Sequence, residues 1–153
     1  MSFSETMASL GITLPEVIPP VGSYVPAIHA GSLVVTSGQL PMREGMLVCQ
    51  GKVGADCTLE QAAAGAAIAA VNALAAAASV VGGVDRIKRI VRLGVYVNSA
   101  AGFTDQPKVA NGASDLLVKI FGEAGRHARA AVGVSELPLN AAVELELLVQ
   151  AVP

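Results

Sequence analysis

The alternation of apolar and polar residues predicts three short strands in the first third of the chain. In YVPAIHAGSLVVTSGQ, two apolar runs flank Ala30-Gly31-Ser32, a pattern typical of two strands joined by a tight turn. Pro26 lies in the first run and favours an edge strand or an irregular start, because proline cannot donate to a strand ladder. MREGMLVCQG then predicts a turn at Glu44-Gly45 and a third short strand.

Two longer segments have the features of helices. The alanine-rich segment begins after Thr58, and Gln61 stands three residues later, as a capping box requires. Gly82-Gly83 ends this helix, because glycine readily adopts the backbone angles that stop one. A second helix is predicted from about Asp105 to Phe121, with Pro107 tolerated in its first turn.

The order of elements predicts an α+β fold. RIKRIVRLGVYVN has the pattern of a strand between the two helices, and two more strands are predicted at about 127–134 and 141–151. A short amphipathic helix over 2–10 and a proline-rich connector precede all of these. Two helices and about six strands with hairpin connections favour a sheet with both helices on one face. The other face, rich in Val, Leu and Ala, would be uncovered in a monomer, so we expect copies of the chain to bury it.

Composition and charge restrict the classes of partner. The 153 residues fit one domain, and 53% of them are hydrophobic while only 14% are charged. A small protein with so few charged residues exposes apolar surface to solvent as a monomer. Burial of that surface between subunits again favours an oligomer. The formal net charge of −2 gives no indication of a nucleic-acid partner or of an anionic membrane.

The chain has no segment that predicts export or membrane insertion. Its start, MSFSETMASLGITLPE, lacks both the basic region and the apolar region of a signal peptide. The alanine-rich helix is long enough to span a bilayer, but twelve of its residues are alanine, and Glu60, Gln61 and Asn72 interrupt it. Alanine favours helix formation far more than membrane insertion, so we expect a helix packed closely on a sheet.

The cysteines predict neither a metal site nor a disulfide. Cys49 and Cys57 form no CxxC pair, and only His29 and His127 could complete a ligand set. A domain of this size needs no disulfide to be stable. Two reduced thiols in a cytoplasmic protein are therefore expected.

Two short motifs allow both a chemical and a structural interpretation. Ser37 in VTSGQLP is either a nucleophile or a hydroxyl that binds backbone or ligand at the end of a strand. Neither histidine is near Ser37 in sequence, which favours the second interpretation. Arg126 and His127 in GRHAR could bind phosphate, but a single short basic run is more typical of a solvated cluster.

Three charges lie within otherwise apolar strands near the end of the chain. Arg129 shares one face of its strand with two small residues, and Glu144 shares one face of the last strand with Glu146. If the two strands pair, Arg129 and Glu144 could line one cleft, where a guanidinium would hold a carboxylate in a fixed orientation. The alternative is an internal Arg–Glu ion pair that only fixes strand register, and spacing alone does not choose between them. Glu146 is expected at the rim or paired across strands.

The motif VTSGQLP, together with Arg129, the following Leu137-Pro138 and the terminal VELE, resembles the RidA/YjgF family, also called the endoribonuclease L-PSP family. The resemblance runs from about Tyr24 to Val152. It divides the chain into an N-terminal extension, residues 1–21, and a single RidA-like domain, residues 22–153.

This resemblance implies a chorismate-mutase-like α+β fold, with an approximately six-stranded mixed sheet, assembled as a homotrimer with ligand sites in clefts between subunits. Many members of the family are hydrolases that need no cofactor or metal. They deaminate reactive enamines and imines, such as 2-aminoacrylate, to 2-keto acids and ammonia. The resemblance implies a cytoplasmic protein whose partner is a small metabolite that bears a carboxylate. It implies no membrane partner.

The family's functional residues fall on five positions of this chain. Arg129 matches the arginine that binds the substrate carboxylate, and Glu144 matches the acidic residue that positions the attacking water. Arg129 and Glu144 are therefore the two candidate catalytic residues. Ser37, Tyr24 and Asn111 match the remaining residues of the substrate cleft.

The chain departs from the deaminase pattern next to the arginine, and this keeps two other functions open. Deaminases of the family usually have Ser or Thr and then Cys after the arginine, where this chain has Ala130 and Ala131. His127-Ala128 stands where many members have Pro-Ala. The two alanines favour a protein that binds or senses small carboxylates without turnover. An endoribonuclease is the third possibility, and the net charge of −2 and the lack of a basic stripe argue against it.

Overall fold

A five-stranded mixed sheet carries both long helices on one of its faces in the computed structural model, which describes residues 1–153. A small two-stranded hairpin lies beside it. In chain order the elements are α1 (Phe3–Ser9), β1 (Ala27–Ala30), β2 (Leu33–Thr36), β3 (Met42–Arg43), β4 (Met46–Leu47), α2 (Leu59–Ser79), β5 (Ile87–Asn98), α3 (Gln106–Phe121), β6 (Ala128–Val134) and β7 (Val143–Ala151).

The strand order across the sheet is β1-β2-β7-β5-β6, which places β1 and β6 at the two edges. All neighbouring pairs are antiparallel except β5 and β6, which run parallel. A parallel pair needs a crossover, and α3 provides it. The predicted α+β fold with both long helices on one face is therefore confirmed, and β1 is the edge strand that Pro26 predicted.

The predicted third strand belongs to the separate hairpin, so the sheet has five strands rather than about six. Glu44 and Gly45 both have positive φ, 53° and 77°. A two-residue turn of this kind folds the chain back on itself at once. Met42–Arg43 therefore pairs with Met46–Leu47 instead of joining the large sheet.

The alanine-rich helix α2 begins at the predicted capping box, in which the side chains of Thr58 and Gln61 each accept a hydrogen bond from the other's backbone N–H. By length and composition alone α2 could cross a membrane, but 61% of its most apolar stretch is buried within the fold. That burial is typical of a core helix. Its small side chains let α2 lie close to the sheet.

Helices α2 and α3 touch backbone to backbone at one point. A Cβ at Gly112 of α3 would clash with the carbonyl oxygen of Ala63 in α2. Glycine is required there because any side chain would push the two helices apart. This contact fixes α3 against the core, and α3 in turn carries two of the polar residues of the candidate site.

The core lies between the sheet and the helices. Its largest fully buried side chains include Leu74 of α2, Leu117 of α3 and Leu93 of β5. The predicted helix near the N-terminus is present as α1, and its Met7 is 3% exposed in the same core.

The opposite face of the sheet is not covered by any helix of the chain, as the sequence predicted. Ile28, Val35 and Val132 lie on it and are 54%, 50% and 47% exposed. These side chains form apolar surface toward both edges of the sheet, while Tyr96 and Glu144 lie near its middle. Burial of this open face against copies of the chain stays a prediction.

Candidate functional site

Arg129 lies on the helix side of the edge strand β6. It pairs with Leu93, and Leu93 pairs in turn with Leu147; both leucines are almost completely buried beneath the helices. Paired residues of adjacent strands point to the same face, so Arg129 continues this row to the sheet edge. There its Nη1 donates hydrogen bonds to Asn111 Oδ1 at 2.8 Å and Ser114 Oγ at 3.1 Å, both on α3.

The two bonds to α3 leave one side of the Arg129 guanidinium free. Nη1 carries two hydrogens, and Asn111 and Ser114 accept one each. The Nε and Nη2 hydrogens make no hydrogen bond within the chain. Together they form the parallel pair of donors that binds a carboxylate through both of its oxygens. Asn111, predicted to bind substrate, thus directly contacts Arg129 and fixes its orientation.

His127 and Ser114 extend this hydrogen-bond chain, and sequence reasoning did not pair them. His127 Nδ1 lies 2.6 Å from the carbonyl oxygen of Gly125, which can only accept, so Nδ1 carries the proton. In a neutral ring Nε2 then accepts from Ser114 Oγ at 2.9 Å, while the same Oγ accepts from Arg129. A sequence signal existed, because Asn111 and Ser114 are three residues apart on one helix face.

The GRHAR segment does not form a free basic cluster. His127 is half-buried and engaged at both ring nitrogens. Arg126 is exposed, and its Nε lies 3.2 Å from Glu123 Oε1. The sequence favoured a solvated cluster over a phosphate site. Of the two side chains, only Arg126 is exposed to solvent as that interpretation requires.

Glu144 lies on the open face of the sheet, near its centre. In the sheet Glu144 pairs with Tyr96 of β5, and its side chain is half-buried. Burial raises the pKa of this carboxyl, and the negative charge of Glu146 raises it further. A Cβ at Gly38 would clash with Oε1 of Glu144. The glycine of the SGQ segment therefore leaves the space that the Glu144 carboxyl occupies.

Glu146 is held by neighbours on β5. Tyr96 donates a hydrogen bond from its hydroxyl to Glu146 Oε1 at 2.7 Å, and this bond raises the pKa of Tyr96. Arg92 Nη1 lies 3.9 Å from the same oxygen, and both side chains are partly exposed. The cross-strand pairing expected for Glu146 is therefore present, and a surface ion pair of this length contributes little to stability.

Ser37 and Tyr24 lie near the β1 edge of the sheet. Ser37 Oγ donates to the carbonyl oxygen of Val25 at 2.6 Å, which is the backbone-binding role that the sequence favoured over a nucleophile. Tyr24 is 59% exposed. Together with Gly38, the two side chains line a cavity of about 340 Å³.

The five predicted residues fall into two groups that one chain does not bring together. Arg129 and Asn111 lie at the β6 edge on the helix side, whereas Glu144 lies on β7 and faces the open side. The strands of Arg129 and Glu144 do not pair, because β5 runs between them. An Arg129–Glu144 ion pair within one chain is therefore excluded. Tyr24 and Ser37 belong with Glu144, and three strand spacings, about 14 Å, separate β2 from β6.

The chain is similar to one family over nearly all of its length. Residues 4–150 match the family described as "YjgF/chorismate mutase-like, putative endoribonuclease". Protein TCP17 of Trypanosoma cruzi is 44% identical over 142 residues, which cover 92% of this chain and 89% of that protein.

Solved structures give the same result. A "putative endoribonuclease" from Shewanella oneidensis is 38% identical, with a TM-score of 0.93 over 98% of this chain and 99% of that one. Escherichia coli TdcF, solved with bound serine, shares the fold at 20% identity and a TM-score of 0.62, over 88% and 92% of the two chains. With its sequence matched almost from end to end, the chain belongs to the YjgF/chorismate mutase-like family.

Proposed function

We propose that this protein deaminates small enamine and imine acids of the 2-aminoacrylate type to 2-keto acids and ammonia without a cofactor. One observation carries the proposal. Two bonds from α3 hold the Arg129 guanidinium at Nη1 and leave its Nε and Nη2 donors free. A guanidinium held in this way can bind a carboxylate without losing further freedom, and such preorganisation is what an anchor for a small acid requires.

The complete site is formed by two copies of the chain. Arg129 lies on the helix side of the β6 edge, whereas Glu144 lies on the open face of the central strand β7, with Ser37 and Tyr24 toward β1. The β6 edge of one copy must therefore meet the open face of the next on its β1 side. Such a head-to-tail contact forms a closed ring when the rotation between copies closes. The exposed apolar side chains of the open face, together with the exposed ring of Tyr24, supply surface for this contact. A ring of three agrees with the homotrimer that the resemblance implies.

The chemistry then follows from the two groups. Arg129 binds the substrate carboxylate and places the imine carbon near Glu144 of the adjacent copy. The Glu144 carboxylate takes a proton from water, whose oxygen attacks that carbon to give a carbinolamine. Glu144 gives this proton to the nitrogen; the hydroxyl proton of the carbinolamine then passes to the same nitrogen through the Glu144 carboxylate, the C–N bond breaks, and ammonia and the 2-keto acid leave. Orientation supplies much of the rate.

The test is to measure pyruvate and ammonia release from 2-aminoacrylate generated in the assay. We expect the protein to accelerate both equally above the uncatalysed hydrolysis. Ala130 and Ala131 stand where the deaminases usually have Ser or Thr and Cys, so a binding or sensor protein is the alternative. Binding of a 2-keto acid without faster release would favour the sensor. If neither binding nor release is found, the carboxylate site itself is wrong.

In the pH profile of kcat/KM, the fall on the acid side (the acid limb) should occur at a higher pH than expected for a glutamate of ordinary pKa. Glu144 must be ionised to take a proton, and burial together with Glu146 raises its pKa above the usual 4.5. Activity should therefore fall as the pH decreases through this raised pKa. Glu146→Gln removes the neighbouring charge and should move the limb to lower pH, whereas the exposed Glu60→Gln should not. An unmoved limb in Glu146→Gln would contradict the assignment.

RNA binding is the second candidate, because the family description includes endoribonuclease and a few cations gather where β5 and β6 begin. Lys88, Arg89 and Arg126 are exposed there, but Arg126 already pairs with Glu123. So few free charges release few counterions, and we expect weak or no RNA binding at physiological salt. Submicromolar, salt-sensitive binding by nuclease-free protein that Lys88→Ala abolishes would overturn this prediction.

A further inference from the structure

Tyr24, Ser37 and Gly38 line the cavity of about 340 Å³, and Gly38 lies against the Glu144 carboxyl. The cavity runs between the N-terminal connector and helix α2, within a single chain. A larger cavity of about 470 Å³ lies farther along α2 and contains none of the candidate site residues. The smaller cavity is therefore the one into which the side chain of a bound acid would extend.

This cavity is too large for the substrate class named so far. 2-Aminoacrylate has six non-hydrogen atoms. With its carboxylate on Arg129 and its imine carbon near Glu144, neither of which lines the cavity, only its terminal carbon could enter, and at roughly 30 Å³ per atom it would fill about a tenth of the space. A substrate of that size would leave the rest of the cavity to water, so the space suits an acid with a longer side chain.

The walls of the cavity are mainly apolar. The connector contributes Val17, Ile18 and Pro20, and Leu139 adds a further aliphatic side chain. Ala75 and Ala76 of α2 also line it and are 5% and 2% exposed. Alanine at these two positions leaves open the space that larger residues would fill.

The charges at the cavity have one sign. Glu16 and Glu44 are its only charged side chains, and neither forms an ion pair within the chain. No arginine or lysine lines it. A second carboxylate on the substrate would therefore be repelled and would find no cation.

We infer that the preferred substrates are imine or enamine acids with a single carboxylate and a branched aliphatic side chain, which occupies the cavity between the N-terminal connector and α2. This inference rests on the proposed function and narrows its substrate class. Residues 16–20 then act as a specificity wall and do not take part in the hydrolysis.

The inference is tested by titrating the protein with three keto acids, pyruvate, 4-methyl-2-oxopentanoate and 2-oxoglutarate. Each buried methylene contributes a factor of about four in affinity, so we expect the branched acid to bind at least tenfold more tightly than pyruvate. 2-Oxoglutarate should bind no better than pyruvate. Equal binding of pyruvate and the branched acid, or tight binding of 2-oxoglutarate, would overturn the inference and leave the proposed function intact. Binding of none of the three would reject both.

Two variants locate the effect. Ala75→Leu fills the cavity and should remove the preference for the branched acid while pyruvate binds as before, whereas Ala64→Leu on the exposed side of α2 should change neither affinity. Ile18→Asp alters the wall at a side chain that is 79% exposed, so its folding is not in question. It should weaken only the branched acid. If both Ile18→Asp and a correctly folded Ala75→Leu still prefer the branched acid over pyruvate, another part of the protein binds its side chain. That result would reject this cavity as the specificity site.

Discussion

Arg129→Lys should bind 2-keto acids about 1.5–3 kcal/mol more weakly than the wild type, which is the range for hydrogen bonds to charged groups. Lysine keeps the positive charge but has no parallel pair of donors, and its three N–H groups cannot satisfy Asn111, Ser114 and both carboxylate oxygens together. Arg129→Ala should lose more affinity. Titration calorimetry with a branched 2-keto acid measures both losses.

Thermal unfolding separates the anchor role of Arg129 from a structural one. Arg129 is exposed and makes no ion pair within the chain, so its replacement should change the melting temperature little. Arg126→Lys is the matched control, because that arginine is also exposed and contacts only Glu123 among the acids. Unchanged affinity in Arg129→Lys, together with a large fall in melting temperature, would reject the anchor.

Gly38→Ala should lower turnover by roughly 100-fold or more, the range that one general base contributes, with little loss of stability. The added methyl group would occupy the place of Glu144 Oε1. The end of a glutamate side chain can rotate away, so the fold survives while the carboxylate leaves its position. Steady-state kinetics and thermal unfolding measure the two effects.

A double-mutant cycle shows whether Gly38→Ala acts through Glu144. If it does, adding Gly38→Ala to Glu144→Gln should cost almost nothing further in turnover, because the group it displaces has already lost its function. Additive losses would mean that Gly38 contributes to the site in another way. The explanation by steric displacement would then be wrong.

The sequence predicted the elements better than their arrangement. The capping box at Thr58 and Gln61 and the turn glycines are local signals, and the structure has them where expected. Strand order depends on contacts between distant segments and is not visible in periodicity. The last strand pairs with both β2 and β5, so β5 separates the strands of Arg129 and Glu144 that a simple hairpin would have joined.

The same distinction holds at the candidate site. Alternation within one strand correctly placed Glu144 and Glu146 on a common face. It could not show that Arg129 faces the opposite side of the sheet, because that depends on the pairing between β5 and β6. The partners of Arg129 on α3 depend on where the helix packs, which the close contact at Gly112 decides.

Subunit mixing is the most direct test of a site formed by Arg129 of one copy and Glu144 of the next. Arg129→Ala and Glu144→Gln are each expected to be nearly inactive. If they are refolded together in equal amounts and mix at random in a head-to-tail ring, about a quarter of the interfaces receive both wild-type residues. Turnover of 2-aminoacrylate should then return to about a quarter of the wild-type value. A mixture no more active than the separate variants, with mixed assemblies demonstrated by two different tags, would contradict a site shared between copies.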